Sequence, residues 1–144
     1  MTSITNKHMI DLVKVVEALE VSWGIDTTLS PSDWSTDNPS RGQCVVSSLI
    51  VQDYFGGDLL RYTVDGENLH EIHYFNQLDD GTYIDTTIKQ YRMPITLKLK
   101  PISLDEFSSV REKRLSGQST AARYELLKEC VDKYLQNIPE KIIT

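Results

Sequence analysis

Residues 44–55, Cys-Val-Val-Ser-Ser-Leu-Ile-Val-Gln-Asp-Tyr-Phe, carry apolar side chains at 45, 46, 49, 50, 51, 54 and 55, which covers nearly the whole circumference of a helix. A helix that is apolar all round cannot rest on a surface and must be buried by other elements on most sides. The rest of the chain therefore has to be arranged around this segment. Glycines punctuate both ends. Gly42, in Arg41-Gly42-Gln43-Cys44, frees the backbone for a sharp entry, with Ser40 or the turn around it as a candidate cap. Gly56-Gly57 supplies a left-handed stop. Cys44 then falls in the first helical turn, at the positive end of the macrodipole, where thiolate chemistry is favoured. The competing reading is simple packing, because free cysteine is among the most buried residue types.

The chain has 144 residues, enough for one domain with a real core, expected over 1–144. A net charge of −6 argues against a nucleic-acid partner, which would need a concentrated basic patch. Lys98, Lys100, Arg111, Lys113 and Arg114 are interleaved with apolar or acidic residues and read as a solvated face. The N-terminus has no signal-peptide h-region, and no stretch approaches bilayer-spanning length, so a cytoplasmic location and no membrane partner are expected. In that reducing compartment Cys44 and Cys130 stay thiols. Two cysteines are too few for a disulfide framework or a four-ligand zinc site.

Read in order, residues 6–21 predict an amphipathic helix with Asn6 as its cap. Residues 23–40 predict an ordered loop, with a short helical turn after Ser30-Pro31. Trp23 and Trp34 either pin this loop to the core or line a cleft leading to Cys44. Strands are predicted over Leu59–Val64, His70–Leu78, Thr82–Thr87 and Ile95–Leu99, with turns at Asp65-Gly66-Glu67-Asn68 and Asp79-Asp80-Gly81. The last third is helical. Ser103-Leu104-Asp105-Glu106 fits a capping box before a helix ending near Ser116-Gly117, and a second helix runs from Ser119 or Thr120 to about Gln136. Its buried stripe is Tyr124, Leu127, Val131 and Leu135, with Cys130 alongside.

A nucleophilic thiolate needs a neighbouring imidazole that is itself oriented by a third group. Of His8, His70 and His73, the latter two share one strand with opposite parity and face opposite sides of the sheet. His73 lies on the face of Glu71, Phe75 and Gln77. The following hairpin selects the carboxylate. A three-residue Asp79-Asp80-Gly81 loop pairs Leu78 with Thr82 and brings Asp85 opposite Phe75, diagonal to His73 and within roughly 7 Å between Cβ atoms. A two-residue turn would reverse the parity and point Asp85 away. His70-Glu71-Ile72-His73 is not a metal motif, since its histidines diverge in a strand. No metal and no cofactor are expected.

Gly42-Gln43-Cys44 opening a buried helix, His73-Tyr74-Phe75-Asn76 and Gly81-Thr82-Tyr83-Ile84-Asp85-Thr86-Thr87 resemble, in that chain order, the cysteine, histidine and aspartate segments of transglutaminase-like, papain-fold enzymes. More narrowly, Asn38-Pro39-Ser40-Arg41-Gly42-Gln43-Cys44, Gln52-Asp53-Tyr54-Phe55-Gly56-Gly57 and His73-Tyr74-Phe75-Asn76 are similar to the small bacterial YunG-like proteins. That likeness runs over most of the chain, including the helix around Arg123-Tyr124. The resemblance implies an α+β papain-like fold, with the Cys44 helix packed on a small antiparallel sheet and helices flanking at both termini. It also implies a Cys44-His73-Asp85 triad.

The function expected is cysteine-dependent acyl transfer or amide hydrolysis of a peptide, protein amide or small amide or thioester, with peptidase, amidase, deamidase or transglutaminase outcomes. The Cys44 backbone N–H is the expected oxyanion donor, and Trp34, Gln43 and Asn76 are the expected substrate contacts. The rival is a non-catalytic module that keeps the fold and binds a peptide or small molecule in its cleft. The residues do not indicate an oligomeric state.

Overall fold

A computed structural model describes residues 6–137, with side chains from residue 11 onward. The elements are helix α1 (Asn6–Ser22), helix α2 (Cys44–Phe55), strands β1 (Asp58–Gly66), β2 (Leu69–Gln77) and β3 (Tyr83–Ile84), a 3-10 turn (Ile88–Gln90), strand β4 (Ile95–Leu99), and helices α3 (Val110–Leu115) and α4 (Gln118–Asn137). The architecture is α+β, with a four-stranded antiparallel sheet in the order β3-β2-β1-β4. The capping role of Asn6 and the side chain of His8 fall outside the described residues, as do both ends of the expected 1–144 domain.

The apolar circumference of α2 is used as the sequence requires. Val46, Leu49, Ile50 and Val51 have no exposed surface. Each is worth about 1.5–3 kcal/mol on full burial, so these four residues anchor the core. They pack with Val15, Ala18 and Leu19 of α1, Leu59 of β1, and Tyr124, Leu127 and Val131 of α4. Trp23, just past α1, is buried in the same cluster, and its indole N–H donates to Ser47 Oγ at 2.8 Å. It pins the loop to α2. At the far end of α2 the left-handed stop is present: Gly56 and Gly57 have φ of +73° and +79°, and a Cβ on Gly57 would sit 2.3 Å from the Gln77 carbonyl.

The chain departs from expectation in four places. Gln43, not Ser40, occupies the cap position of α2, and no side chain caps it. Residues 31–33 form a turn closed by Asp33 N–H to Ser30 O at 3.0 Å, without a helix. β3 spans two residues only, because Asp85 Oδ1 accepts from the Thr87 N–H at 3.2 Å and bends the chain off the ladder. The capping motif lies six residues later than the Ser103–Glu106 reading. Ser109 Oγ accepts from the Glu112 N–H at 3.0 Å, while Ser108 donates to the Glu112 carboxylate. Asp105 instead takes a left-handed φ of +53° in the preceding turn, where Lys113 binds it. Like Ser109, Ser103 is followed three residues later by Glu, so local sequence offers two registers; the helix starts at the one Glu112 satisfies.

Candidate active site around Cys44

The site is assembled by a loop, a helix terminus and a strand. Gly42 sits at φ +75°, and a Cβ there would lie 2.1 Å from Thr28 Oγ1 and 3.0 Å from the Ser30 nitrogen. Only glycine permits this approach. The loop is laid against it by Thr28 Oγ1 donating to Arg41 O at 2.6 Å and Leu29 N–H donating to Gly42 O at 2.9 Å. The tight turn delivers Cys44 to the first residue of α2. With no side-chain cap, the N–H groups of this turn remain open at the Cys44 end.

The β2–β3 connection takes the three-residue form. Leu78 N–H donates to Thr82 O at 2.8 Å, Gly81 N–H donates to Leu78 O at 2.9 Å, and Gly81 has φ +91°. Asn76 then pairs with Ile84 and Gln77 with Tyr83. One step further along this register Asp85 comes opposite Phe75, and its Oδ2 lies 2.7 Å from His73 Nε2. His73 has no exposed surface. Its ring stacks on Phe75 at 5.8 Å and meets the edge of Tyr91 at 5.3 Å between centroids. His70, of opposite parity, is exposed and pairs with Asp65 across the β1–β2 ladder.

Burial works against a charged His73, yet hydrogen bonding to Asp85 and then the proximity of Cys44 outweigh it and push the pKa up to about 9. The ring therefore holds a proton through neutral pH. Nδ1 has no aligned hydrogen-bond partner. Since Nε2 is committed to Asp85, Nδ1 is the nitrogen left for Cys44. The imidazole and carboxylate named from the sequence are thus brought together, with Cys44 near enough to act on the charge of the ring.

The expected substrate contacts have other places. Gln43 has no exposed surface, and its amide N–H donates to Gly24 O at 3.1 Å, tying the end of α1 to the α2 entry. Asn76 is equally enclosed and donates to Ser48 O at 2.9 Å, fastening β2 to α2. Trp34 folds back on its own loop, donating to Pro39 O at 2.8 Å. None of the three lines the cavity beside Cys44; each instead satisfies a backbone carbonyl, as a largely buried donor must.

That cavity, about 160 Å³, is walled by Cys44, Gly42, Arg41, Glu71, Ile72 and Arg123 among others. Its volume is comparable to a cavity that admits one benzene-sized group. Arg41 and Glu71 form a two-pronged pair at 2.5 and 2.9 Å, and Arg41 also donates to Gln90 Oε1 at 3.2 Å. Burial would raise the Glu71 carboxyl, but the Arg41 hydrogen bonds hold it below the usual range. Gln90 Oε1 also accepts from the Gly42 N–H at 3.2 Å, so the 3-10 turn braces the cysteine loop. Glu71 shares the parity of His73 and could have been placed beside it from the strand pattern. Nothing local marks Gln90 or Arg123, which arrive from 46 and 79 residues downstream of Cys44.

Among the described residues, no helix is long and apolar enough to cross a membrane. A family model described as "YunG protein" matches residues 11–136. The "Uncharacterized protein YunG" of Bacillus subtilis (strain 168) is 31% identical over 124 residues, which cover 85% of this chain and 93% of that protein. No solved structure matches the chain. With the shared segment running from α1 through nearly all of α4 and containing Cys44, His73 and Asp85, the chain belongs to the YunG family.

Proposed function

We propose that this protein is a papain-like, transglutaminase-related cysteine enzyme that transfers or hydrolyses acyl groups through a Cys44-His73-Asp85 triad. The observation that carries the reading is the buried His73, held by Asp85 through Nε2 and close enough to Cys44 for the thiol to raise its proton affinity. Burial alone would lower the proton affinity of a histidine packed into a core.

In this reading the proton of Cys44 is already held on His73, as its raised pKa allows, and the sulfur adds as a thiolate to an amide or thioester carbonyl. The N–H groups of the uncapped α2 terminus, that of Cys44 first, face the developing oxyanion. His73 then returns the proton to the leaving group as the carbon–nitrogen or carbon–sulfur bond breaks, and the acyl-enzyme is released to water or an amine. Asp85 keeps the ring oriented and stabilises its charged form.

The test is competitive labelling with iodoacetamide at pH 6.5, read by mass spectrometry. Cys44 is buried and Cys130 is more exposed, so accessibility alone predicts faster labelling of Cys130. Preferential labelling of Cys44, abolished by His73→Ala, is the expected result. Labelling of Cys130 first, with Cys44 reacting only at alkaline pH, would transfer the site to the binding-module reading.

A further inference from the structure

The cavity beside Cys44 holds two guanidinium groups in very different states. Arg41 is neutralised by the two-pronged contact with Glu71. Arg123, which reaches the same cavity from α4, has no carboxylate partner among the described residues. Its contacts are long ones to neutral acceptors, Thr27 O at 3.5 Å and Thr120 Oγ1 at 3.3 Å, and its buried Nε has no partner. A guanidinium is a planar fork of donors that matches a carboxylate, and leaving it partly desolvated and unpaired is costly. This cost is carried on a chain whose net charge is −6, where acidic partners are plentiful elsewhere. The Arg41–Glu71 pair adds no net charge, so Arg123 and the open N-terminus of α2 make this cavity locally positive.

We infer that Arg123 is the specificity residue of the Cys44 site and receives a carboxylate on the acyl substrate, within one side-chain length of the reacting carbonyl. The cavity volume suits one such group. The inference rests on the acyl-transfer reading and names its substrate class: amides or thioesters whose acyl part is anionic.

Alkylation of Cys44 by iodoacetate and by iodoacetamide tests it, because both reagents form the same sulfur–carbon bond as iodide leaves and differ only in charge. Wild type is expected to favour iodoacetate relative to iodoacetamide at Cys44, with Cys130 as the internal reference. Arg123→Gln is expected to lower the iodoacetate rate about tenfold while changing the iodoacetamide rate by less than about threefold, and Arg123→Lys to restore part of the preference. An equal loss for both reagents would assign Arg123 to the thiol, and no loss would remove it from the site. Either result overturns the proposal.

A second measurement does not need Cys44 to react. Titration of the protein with N-acetylglycine and with N-acetylglycinamide, followed at the Arg123 Nε–H by NMR, is expected to give a saturable shift with the carboxylate alone. No shift, or equal shifts, would sink the carboxylate site even if Cys44 labels normally. A carboxylate-specific shift with an inert Cys44 would retain the anion site and fail only the acyl-transfer reading.

Discussion

His73 Nε2 lies 2.7 Å from Asp85 Oδ2, with the imidazole wholly buried and the carboxylate braced on its other oxygen by the Thr87 N–H. The pair has a consequence for stability. The folded-state pKa of His73, about 9, lies above the ordinary value of 6.5. A raised pKa contributes stability that is fully present below the unfolded value and is lost as pH rises through the folded one. Wild type should therefore lose up to about 3 kcal/mol between pH 6 and pH 10 from this group. Asp85→Asn should be less stable at pH 6 and show a flatter profile. Urea unfolding across that range checks it, and a uniform loss at every pH would refute an electrostatic role for Asp85.

Gly42 sets the approach of Cys44. Gly42→Ala combines a left-handed φ with a Cβ 2.1 Å from Thr28 Oγ1. The expected destabilisation is about 3 kcal/mol. Thr28→Ala added to it should recover part of that loss by removing the obstructing hydroxyl, the left-handed backbone, the Ser30 nitrogen at 3.0 Å and the lost Thr28–Arg41 bond keeping the rest, and a double-mutant cycle in urea would give the coupling.

Asn76 separates support from chemistry. Its side chain holds Ser48 O and has almost no surface. Asn76→Ala should cost about 2 kcal/mol through the lost hydrogen bond and the space left behind. The rate at which iodoacetamide labels Cys44 in the folded variant should stay within about twofold of wild type, as transition-state arithmetic requires if no contact to the reacting atoms is lost. A large fall in labelling would restore Asn76 to the site.

A polar knot fastens α3 and α4 to α2. Arg111 meets Asp53 at 2.7 Å and donates to Leu49 O, Gln52 Oε1 and Tyr124 Oη, while the Tyr124 hydroxyl donates to Asp53 at 2.5 Å. Burial and this bond push the Tyr124 pKa up to about 12. Tyr124→Phe should cost about 1 kcal/mol, because Arg111 still satisfies Asp53. Arg111→Met should cost about 2–3 kcal/mol, because it leaves Asp53 and the Leu49 carbonyl short of a donor. Thermal melts of the two variants and the double mutant check the order.

Much of this was written locally. An all-round apolar segment between glycines dictates a buried α2, because no surface position tolerates it. Alternation on β2 separates His70 from His73. Asp79-Asp80-Gly81 favours a loop with glycine at its left-handed position, and that register carries Asp85 to the correct face. What depended on long-range packing was not legible. Gln43, Asn76 and Trp34 stand beside the chemistry in sequence, yet each turns to a backbone carbonyl, since a largely buried amide or indole takes the nearest acceptor. The choice between Ser103 and Ser109 as a cap lies with the tertiary contacts of α3.

The sequence by itself determined the central helix, its cysteine and the face of β2 that carries His73, because these follow from periods of 3.6 and 2 acting over a few residues, while the three-residue form of the hairpin loop decided between the two parities open to Asp85. Only the tertiary structure decided which charges meet at the cavity. Arg41 found Glu71 across 30 residues, and Arg123 arrived from α4 with no carboxylate partner among the described residues. The pairing of charges depends on how helices and strands are docked, and no local period encodes that.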